Sequence, residues 1–277
     1  MDSATENPQP SDTSAGAAGE SPQLSIVIPV YNEGENIAPT LRQLAATVKM
    51  PHEVLVVYDQ DTDTTLPVLR SLLPEYPQVQ AVKNDVARGP SGALRTGFHR
   101  ARAGRVLVLM ADLCDDFTQI DKLAALVPAQ ADVACPSRYC PGGEQQLKES
   151  FKVWLPRWAG KLMRLLTGIG TVDPTNSFKM YNGAMLRDLN LRSTVSFSVT
   201  LEIVAKAHCL GYNVVEIPTV WRDRQHGKTN FKLWRSVTAY FPWLVAASLR
   251  GRIIRLPQSW FVRRFSKSQT AAPRRTS

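Results

Sequence analysis

An acidic segment follows a short apolar run in the middle of the chain. The stretch 106–116 reads VLVLMADLCDD, so that Asp112, Asp115 and Asp116 come just after five apolar residues and an alanine. The apolar run is too short for a helix and rich in Val, which predicts a buried strand. In an open α/β sheet the carboxyl ends of the strands line the ligand crevice. Acids placed there predict binding of a metal ion or of a polar ligand.

The elements that position these acids alternate along the chain. Apolar runs predict strands and helical spacing predicts helices, and the two alternate with short turns between them. Such alternation predicts βαβ units and a mostly parallel sheet with helices on both faces. Strands are predicted at 24–30, 53–59, 80–83, 105–112, 132–139 and 213–221, helices at 36–48, 64–73, 91–102, 151–167 and 199–209, and a loop at 173–181.

The turn after the first strand argues against two common nucleotide-binding designs. A dinucleotide fold places Gly-x-Gly-x-x-Gly there, so that bare backbone approaches the pyrophosphate. Here the turn is YNEGEN at 31–36, where one glycine is flanked by acids that repel phosphate. No P-loop is present either. Diphosphate charge is therefore expected to be neutralised by a cation held at the acidic segment 112–116.

The ends of the chain differ in charge. Residues 1–20 carry four acids and no base, whereas 250–277 carry eight Arg or Lys and no acid, within a chain of net charge +9. The basic end indicates an anionic surface, either lipid head groups or nucleic acid, or else a solvated tail. No basic and apolar secretory signal is visible, and a flexible leader is predicted at 1–23. The four cysteines lack metal-site spacing, which favours free thiols in a reducing compartment.

Seven motifs in this order resemble glycosyltransferase family 2, with a GT-A fold, and its polyprenyl-phosphate mannosyltransferase branch in particular. They are PVYNEGENI (29–37), VVYDQDTDTT (56–65), RGPSGALRTG (88–97), MADL (110–113), PSRY (136–139), DPTNSFKMY (173–181) and DRQHGKTNF (223–231). Each motif alone is weak, but seven in the same order are specific. The resemblance covers residues 24 to about 232 and implies that they form a single catalytic domain.

The resemblance implies a nucleotide-sugar donor of the GDP-mannose or UDP-glucose type. In the family, the matching segments bind the nucleoside and the diphosphate. Acids accept hydrogen bonds from a base or from ribose hydroxyls, and an aromatic ring offers a stacking face. Turn formation after a strand is the alternative for Asp59 and Asp63. The implied donor-binding residues are Pro29, Tyr31, Glu33, Asp59 and Arg138.

The acidic segment departs from the family pattern. The usual D-x-D begins with an acid where this chain has Met110, and Cys114 stands where the lipid-phosphate branch has Gln. A thioether is a poor ligand for hard Mg²⁺, so Met110 does not replace the carboxylate. Asp112 with Asp115 is predicted to hold Mg²⁺ or Mn²⁺. Asp116 could take the place of Asp115, or the ion could be held by one carboxylate, the phosphates and water. Capping by Asp115 and Asp116 of a helix from about residue 117, metal-independent chemistry and lost activity are the alternatives.

Further basic residues are implied to bind phosphates. The loop 223–231 matches one that closes over the diphosphate, which makes Arg224 and Lys228 candidates to neutralise the leaving group. Lys152 and Arg157 lie where the branch places residues for the acceptor phosphate. They are five residues apart, about 140° around a helix, so a shared phosphate needs long side chains. A solvated helix face is the alternative for Lys152.

The implied reaction is transfer of the sugar to an acceptor, with inversion at the anomeric carbon. The resemblance to the branch implies that this acceptor is a polyprenyl phosphate. A phosphate oxygen is already anionic near neutral pH and needs no strong base. A sugar hydroxyl would need one, and Glu202 is the first candidate and Asp173 the second, each with a structural role as the alternative. A noncatalytic nucleotide-sugar-binding or regulatory protein with a degraded D-x-D is the competing hypothesis. Nucleic-acid binding by the basic tail is not expected, because no recognition module is present.

The segment 233–265 is predicted to be amphipathic. Between Arg235 and Arg250 lie only 14 uncharged residues, broken by Pro242, and spanning a bilayer needs about 18 to 20. Its aromatic and basic residues predict helices at the membrane interface, with a core helix as the alternative. A basic disordered tail at 266–277 follows. The protein is therefore expected to be cytoplasmic and peripheral, at the cytoplasmic face of an anionic membrane.

Overall fold

Strands and helices alternate through the first half of the chain. The computed structural model describes residues 21–146, 151–223, 233–250 and 256–267, with side chains at all of these positions except 151–155 and 233–237. The strands are β1 (Leu24–Pro29), β2 (His52–Tyr58), β3 (Val79–Lys83), β4 (Arg105–Val108), β5 (Val133–Ser137), β6 (Glu144–Gln146), β7 (Lys179–Asn182), β8 (Val214–Pro218) and β9 (Val220–Arg222). The helices are α1 (Gly34–Thr47), α2 (Thr65–Leu72), α3 (Pro90–Arg100), α4 (Ile120–Leu126), α5 (Phe151–Thr167), α6 (Gly183–Asp188), α7 (Ser198–Leu210), α8 (Leu233–Arg250) and α9 (Gln258–Phe265).

Seven of the described strands form one sheet, in the order β3-β2-β1-β4-β7-β5-β8. Neighbouring strands are parallel, except that β7 runs antiparallel to β4 and β5. A second, two-stranded sheet pairs β6 with β9. From β1 the chain moves outward to β2 and β3 and then crosses back to β4 on the other side of β1. The ligand crevice of such a sheet lies at the carboxyl ends of the two strands where the order reverses, here β1 and β4.

The central strand β1 is buried along its whole length. Ile26 and Ile28 pack in the layer that contains α1, α2 and α4, whereas Val27 packs in the layer that contains α3 and α7. Successive side chains of a strand point to opposite faces, and each fully buried aliphatic side chain contributes about 1.5–3 kcal/mol. Burial on both faces fixes the register of β1 and so the position of the turn that follows it.

Two predicted strands end earlier than the apolar pattern indicates. The strand predicted at 105–112 ends at Val108, and Leu113, five residues later, has a φ of 59°. The strand predicted at 213–221 is two strands, because Thr219 leaves the main sheet. Its N–H donates to the Ser137 carbonyl of β5 (3.1 Å), and its carbonyl accepts from the Glu144 N–H of β6 (2.9 Å).

Strand β7 lies where a loop was predicted. Turn-forming residues fill 174–177, but the last three residues of the predicted loop, 179–181, belong to the strand. Lys179 pairs with Val108 and is fully buried, with its ammonium donating to the Asn176 carbonyl. A buried lysine breaks the apolar pattern by which a strand is predicted from sequence.

The C-terminal helices pack against the core on one side. In α8, Ala246 and Ala247 are buried against the layer of α7, as are Phe261 and Phe265 of α9. None of the described helices has both the length and the apolar character that crossing a bilayer requires. The predicted leader (1–23) and tail (266–277) lie almost wholly outside the described residues, and the predicted domain boundaries stay predictions.

Helix α3 packs on β1 with almost no space between them. A Cβ built at Gly97 would lie 2.2 Å from Val27 Cγ1, and Val27 is itself buried. We expect Gly97→Ala to lower the free energy of unfolding by about 1–3 kcal/mol, because the added methyl overpacks the interface. Urea unfolding measures the loss.

Gly104→Ala is the matched control, since a Cβ there meets nothing within 4 Å. We expect it to change the free energy of unfolding by about 0.5 kcal/mol or less. Equal losses in the two variants would contradict the close packing of α3 on β1.

Candidate functional site

The turn after β1 and the turn after β2 hold each other in place. Asn32 has a φ of 56°, and both carboxylate oxygens of Asp63 accept from its N–H at 3.1 Å. Asn32 returns the contact through its side-chain oxygen, which accepts from the Thr64 N–H at 3.2 Å. Asp63 is buried and also accepts from the Thr65 N–H at 2.8 Å. The strained backbone at Asn32 is therefore fixed by a carboxylate from the neighbouring turn.

This double turn presents three of the predicted donor-binding residues. Pro29 ends β1 in the core, and the ring of Tyr31 is 58% exposed. Glu33 donates its N–H to Thr65 Oγ1 (2.9 Å), and its side chain accepts from Asn36 Nδ2 (2.6 Å). An exposed ring beside a positioned carboxylate suits stacking and hydrogen bonding to a nucleoside.

The fourth predicted donor-binding residue, Asp59, joins β2 to the start of α3. One carboxylate oxygen accepts from Asn84 Nδ2 (2.6 Å) and the other from the Gly89 N–H (2.8 Å). Each oxygen has a second lone pair for a ligand. The structure thus places Asp59 in the same row of strand ends as Tyr31 and Glu33.

The acidic segment after β4 separates its three carboxylates into different roles. Asp112 is half-buried, and its Oδ1 accepts from the Cys114 N–H at 3.2 Å. Asp116 caps the 3-10 helix at 117–119, accepting from the N–H (3.1 Å) and the hydroxyl (2.7 Å) of Thr118. Asp115 is buried and does not cap. Capping therefore accounts for Asp116 alone.

Asp115 lies in an unusual electrostatic environment. Burial, and then the charge of Asp112, raise the pKa of Asp115 to about 7, against smaller opposing effects that include Arg138 and Lys179. Two carboxylates that repel each other are stabilised in their ionised forms by a cation between them. The site thus combines a repelling acid pair with nearby positive charge.

The acid pair meets the requirements of Mg²⁺ or Mn²⁺ in its donor chemistry. Carboxylate oxygens are hard donors, and Mg²⁺ is often held by one or two of them together with substrate phosphates and water. Among the described residues, no group of three or more His, Cys, Asp and Glu side chains could hold a metal ion. Asp112 and Asp115 are the two carboxylates here that could contribute to such a set, with phosphate oxygens and water as the other ligands.

A buried ion pair adjoins the acid pair. Arg138 Nε and Nη2 donate to the two oxygens of Asp173 at 2.7 and 2.8 Å, and the Arg138 N–H donates to the same carboxylate at 3.1 Å. Burial acts to raise the pKa of Asp173, but the charge and hydrogen bonds of Arg138 outweigh it and hold this pKa below its usual value. Asp173 is thus a poor base, which corrects its prediction as the second candidate.

Lys179 is a site residue that the sequence reasoning missed. Burial lowers the pKa of its ammonium, while Cys135 and Asp173 act to raise it. Its charge also acts on Asp115. A lysine between Phe178 and Met180 in an apolar run was the available signal, since a buried lysine is rare unless it is paired.

The predicted phosphate-binding residues are only partly described. Arg224 and Lys228 lie outside the described residues, as does the side chain of Lys152. The described residue Arg222 lies beside the acidic segment, because its N–H donates to the Cys114 carbonyl at 2.9 Å. Arg157 is exposed on α5, and its charge acts to lower the pKa of Tyr139, which neighbours Arg138. Burial nevertheless raises that pKa overall.

Glu202 does not have the contacts of a general base, which corrects its prediction as the first candidate. It is fully buried in α7, and its two oxygens accept from the N–H groups of Arg192 (2.8 Å) and Ser193 (2.7 Å). It also forms an ion pair with Lys206 at 2.5 Å. Glu202 thus fastens the segment after α6 to α7.

Comparisons with known proteins agree with these features. The family model for glycosyl transferase family 2 matches residues 25–189, more than half of the chain. The dolichol-phosphate mannosyltransferase of Pyrococcus furiosus is 27% identical over 76% of this chain. The match spans only 59% of the length of that relative. The polyprenol monophosphomannose synthase of Mycolicibacterium smegmatis is 28% identical over 86% of this chain and 94% of its own length. The undecaprenyl-phosphate mannosyltransferase of Micrococcus luteus is 28% identical, over 83% of this chain and 97% of its own length.

A solved structure shows the same fold. Glucosyl-3-phosphoglycerate synthase from Mycobacterium tuberculosis, in complex with Mn²⁺, UDP and glucosyl-3-phosphoglycerate, matches with a TM-score of 0.59 and 14% identity. The match covers 82% of this chain and 79% of that one. Together with the sheet order, it confirms the predicted GT-A fold class.

The contacts of Asp63 predict a large effect of its removal. We expect Asp63→Ala to lower the free energy of unfolding by about 1–3 kcal/mol, because the N–H groups of Asn32 and Thr65 lose their acceptor. Asp61→Ala is the matched control, since Asp61 is 63% exposed and pairs only at the surface with Lys83. We expect that control to cost about 0–1 kcal/mol in urea unfolding. Equal costs would show that Asp63 does not lock the two turns.

The raised pKa of Asp115 predicts a pH dependence of stability in metal-free buffer. The folded protein holds this proton to about pH 7 and the unfolded chain only to about 3.8, so its stabilising contribution is lost as pH rises between these values. Asp115→Asn removes the titration. We expect the variant to gain stability relative to the parent from pH 5 to 7 and to stay level above about pH 8.

Thermal or urea unfolding of both proteins at pH 5, 6, 7 and 8, with EDTA present, measures this difference. A difference that stays constant over the whole range would show that Asp115 does not titrate there.

Proposed function

This chain belongs to glycosyl transferase family 2, as its motifs predicted, and we propose that it moves a sugar from a nucleoside diphosphate sugar to the phosphate of a polyprenyl lipid. The relatives support the acceptor, because their names combine a polyprenyl phosphate with a sugar transfer. The sugar and the base of the donor are left open, and GDP-mannose and UDP-glucose are the donor types to test first.

One observation carries the proposal: acids that follow β4 lie close to cations from the end of β5 and the start of β7. These acids are Asp112 and Asp115, with Arg138 and Lys179 close enough for their charges to act on Asp115. When bound there, Mg²⁺ or Mn²⁺ would neutralise part of the diphosphate charge. Preorganised positive charge at a leaving group is among the largest contributions that a site makes to catalysis.

The chemistry needs little from the protein besides position and charge. An oxygen of the acceptor phosphate attacks the anomeric carbon of the sugar, and the bond from that carbon to the diphosphate oxygen breaks, with inversion. The attacking oxygen is anionic at neutral pH, so no proton has to be removed. The contacts of Glu202 and Asp173 favour this acceptor over a sugar hydroxyl, because both predicted bases are bound to backbone or basic groups.

An exposed apolar surface supports a lipid acceptor. Trp158, Leu162 and Leu165 of α5 are 60%, 53% and 64% exposed, and their spacing places them on one face of the helix. Phe241 and Val245 of the adjacent α8 are also exposed. Large apolar side chains flanked by cations suit the boundary between lipid head groups and acyl chains. We therefore propose that the protein works at a membrane surface, where this patch meets the isoprenoid chain.

A transfer assay tests the proposal. The full chain is incubated with GDP-mannose or UDP-glucose and undecaprenyl phosphate in detergent, with and without Mn²⁺, and the glycolipid is measured by mass spectrometry. We expect a lipid-linked sugar from one donor. Asp112→Asn should lower its rate of formation about 100-fold or more, because the diphosphate loses its countercharge.

Asp121→Asn is the matched control, because Asp121 is an exposed acid in the first turn of α4. We expect it to keep the parent rate within about twofold. A donor that raises the melting temperature without any transfer would instead favour a noncatalytic nucleotide-sugar-binding protein. Transfer to a sugar hydroxyl but not to the lipid phosphate would overturn the proposed acceptor.

A further inference from the structure

A basic cavity lies outside the candidate active site. It has a volume of about 660 Å³ and opens between the segment after α6 and the outer side of α9. Four of its lining side chains are cations, and a tryptophan forms part of its wall. The lining residues used below are Asn190, Arg192, Trp260, Arg263, Arg264 and Lys267.

A second cavity continues this basic surface towards α3. It has a volume of about 360 Å³ and shares Asn190 and Lys267 with the first. Arg95, His99 and Arg187 line it. Arg95 Nε is a buried N–H donor without a hydrogen-bond partner among the described residues. A buried donor without an acceptor is costly, and a bound anion would satisfy it.

Neither cavity has an acid among its described lining residues, whereas Arg and Lys side chains line both. In the described part of the chain, none of Arg95, Arg192, Arg263 and Lys267 forms an ion pair. Burial, and then the charges of Lys267 and Arg95, hold the pKa of His99 below its usual value.

The acids that lie nearby have other partners. Asp85 pairs with Arg100 at 3.0 Å, and the Asp188 carboxylate accepts from Ser266 Oγ. The cations that line the groove therefore outnumber the acids near it, which favours binding of an external anion.

The fold places this surface away from the acid pair. Helix α6 starts at Gly183, whose N–H donates to the Gly104 carbonyl just before β4 begins. His99 lies in the last turn of α3, at the same edge of the sheet. Asp112 follows the other end of β4. The basic groove thus lies towards the amino end of β4, and the candidate active site lies at its carboxyl end.

We propose that this groove, lined by Arg95, Arg192, Arg263, Arg264 and Lys267, is a second anion site that binds phosphate groups. Guanidinium forks match phosphate oxygens, and one cavity of this size takes a phosphorylated head group. Arg264 stacks on Trp260, with 5.7 Å from its Cζ to the ring centroid, which orders one fork at the wall. Two sources share this chemistry, the head group of an anionic lipid and free phosphate.

The test removes two charges from the groove and compares a control that removes two elsewhere. Arg263→Gln with Lys267→Gln changes the groove, and both side chains are exposed. Arg42→Gln with Arg70→Gln is the control, because these exposed arginines lie on α1 and α2, across the sheet. Both double variants of the full chain have the same net charge, so a general electrostatic effect would change them equally.

Two measurements separate the sources of phosphate, with EDTA present throughout. The first is sedimentation with vesicles of phosphatidylcholine containing 30% phosphatidylglycerol, against phosphatidylcholine alone, at low salt. The second is the melting temperature in inorganic phosphate against chloride of equal ionic strength. We expect the groove variant to lose about tenfold or more of its affinity for the anionic vesicles or of its affinity for phosphate. The control should lose less than about threefold of either.

Pelleting that depends on the groove, without a phosphate effect on melting, assigns the site to a lipid head group. A phosphate-induced rise in melting temperature that only the groove variant loses assigns it to free phosphate. Equal losses in the two double variants would overturn the proposal, as would the absence of both pelleting and stabilisation in the parent protein.

Discussion

Charge buried at the carboxyl edge of the sheet is the constraint on which the site depends. Arg138 donates to Asp173 through Nε, through Nη2 and through its backbone N–H, and Asp173 is wholly buried. Removing one partner of such a pair costs about 3–5 kcal/mol, because the other charge is left buried and unpaired. The pair therefore holds the end of β5 and the segment before β7 in one arrangement, and Lys179 and Asp115 lie within its field.

The charge balance at this edge is reached with one carboxylate fewer than the D-x-D pattern has. With Met110 in place of a carboxylate, the acids that remain at this edge are Asp112 and the buried Asp115, opposed by Arg138 and Lys179. A third carboxylate would add to the repulsion by Asp112, which together with the larger effect of burial raises the pKa of Asp115 to about 7. Two carboxylates suffice for an ion that takes its other ligands from phosphate and water.

The sequence predicts those parts of the fold and site that have a local pattern. Alternating strands and helices predict the parallel sheet, and acids after an apolar run predict Asp112 at its edge. Strand β7 was missed because a buried lysine interrupts its pattern. The sequence does not reveal the structural role of Glu202, because the N–H groups that bind it belong to residues about ten positions earlier, in a segment without periodicity. The pairing of Arg138 with Asp173 spans 35 positions and follows only from the folded topology.

The hydrogen bond from the Arg222 N–H to the Cys114 carbonyl joins two segments that are far apart in sequence. One carries Asp112, and the other leads directly into the stretch with Arg224 and Lys228. The bond ties the backbone of the acidic segment to β9, which is itself paired with β6. The acidic segment is therefore held on two sides, by β4 before it and by β9 beside it, which limits how far its backbone can shift.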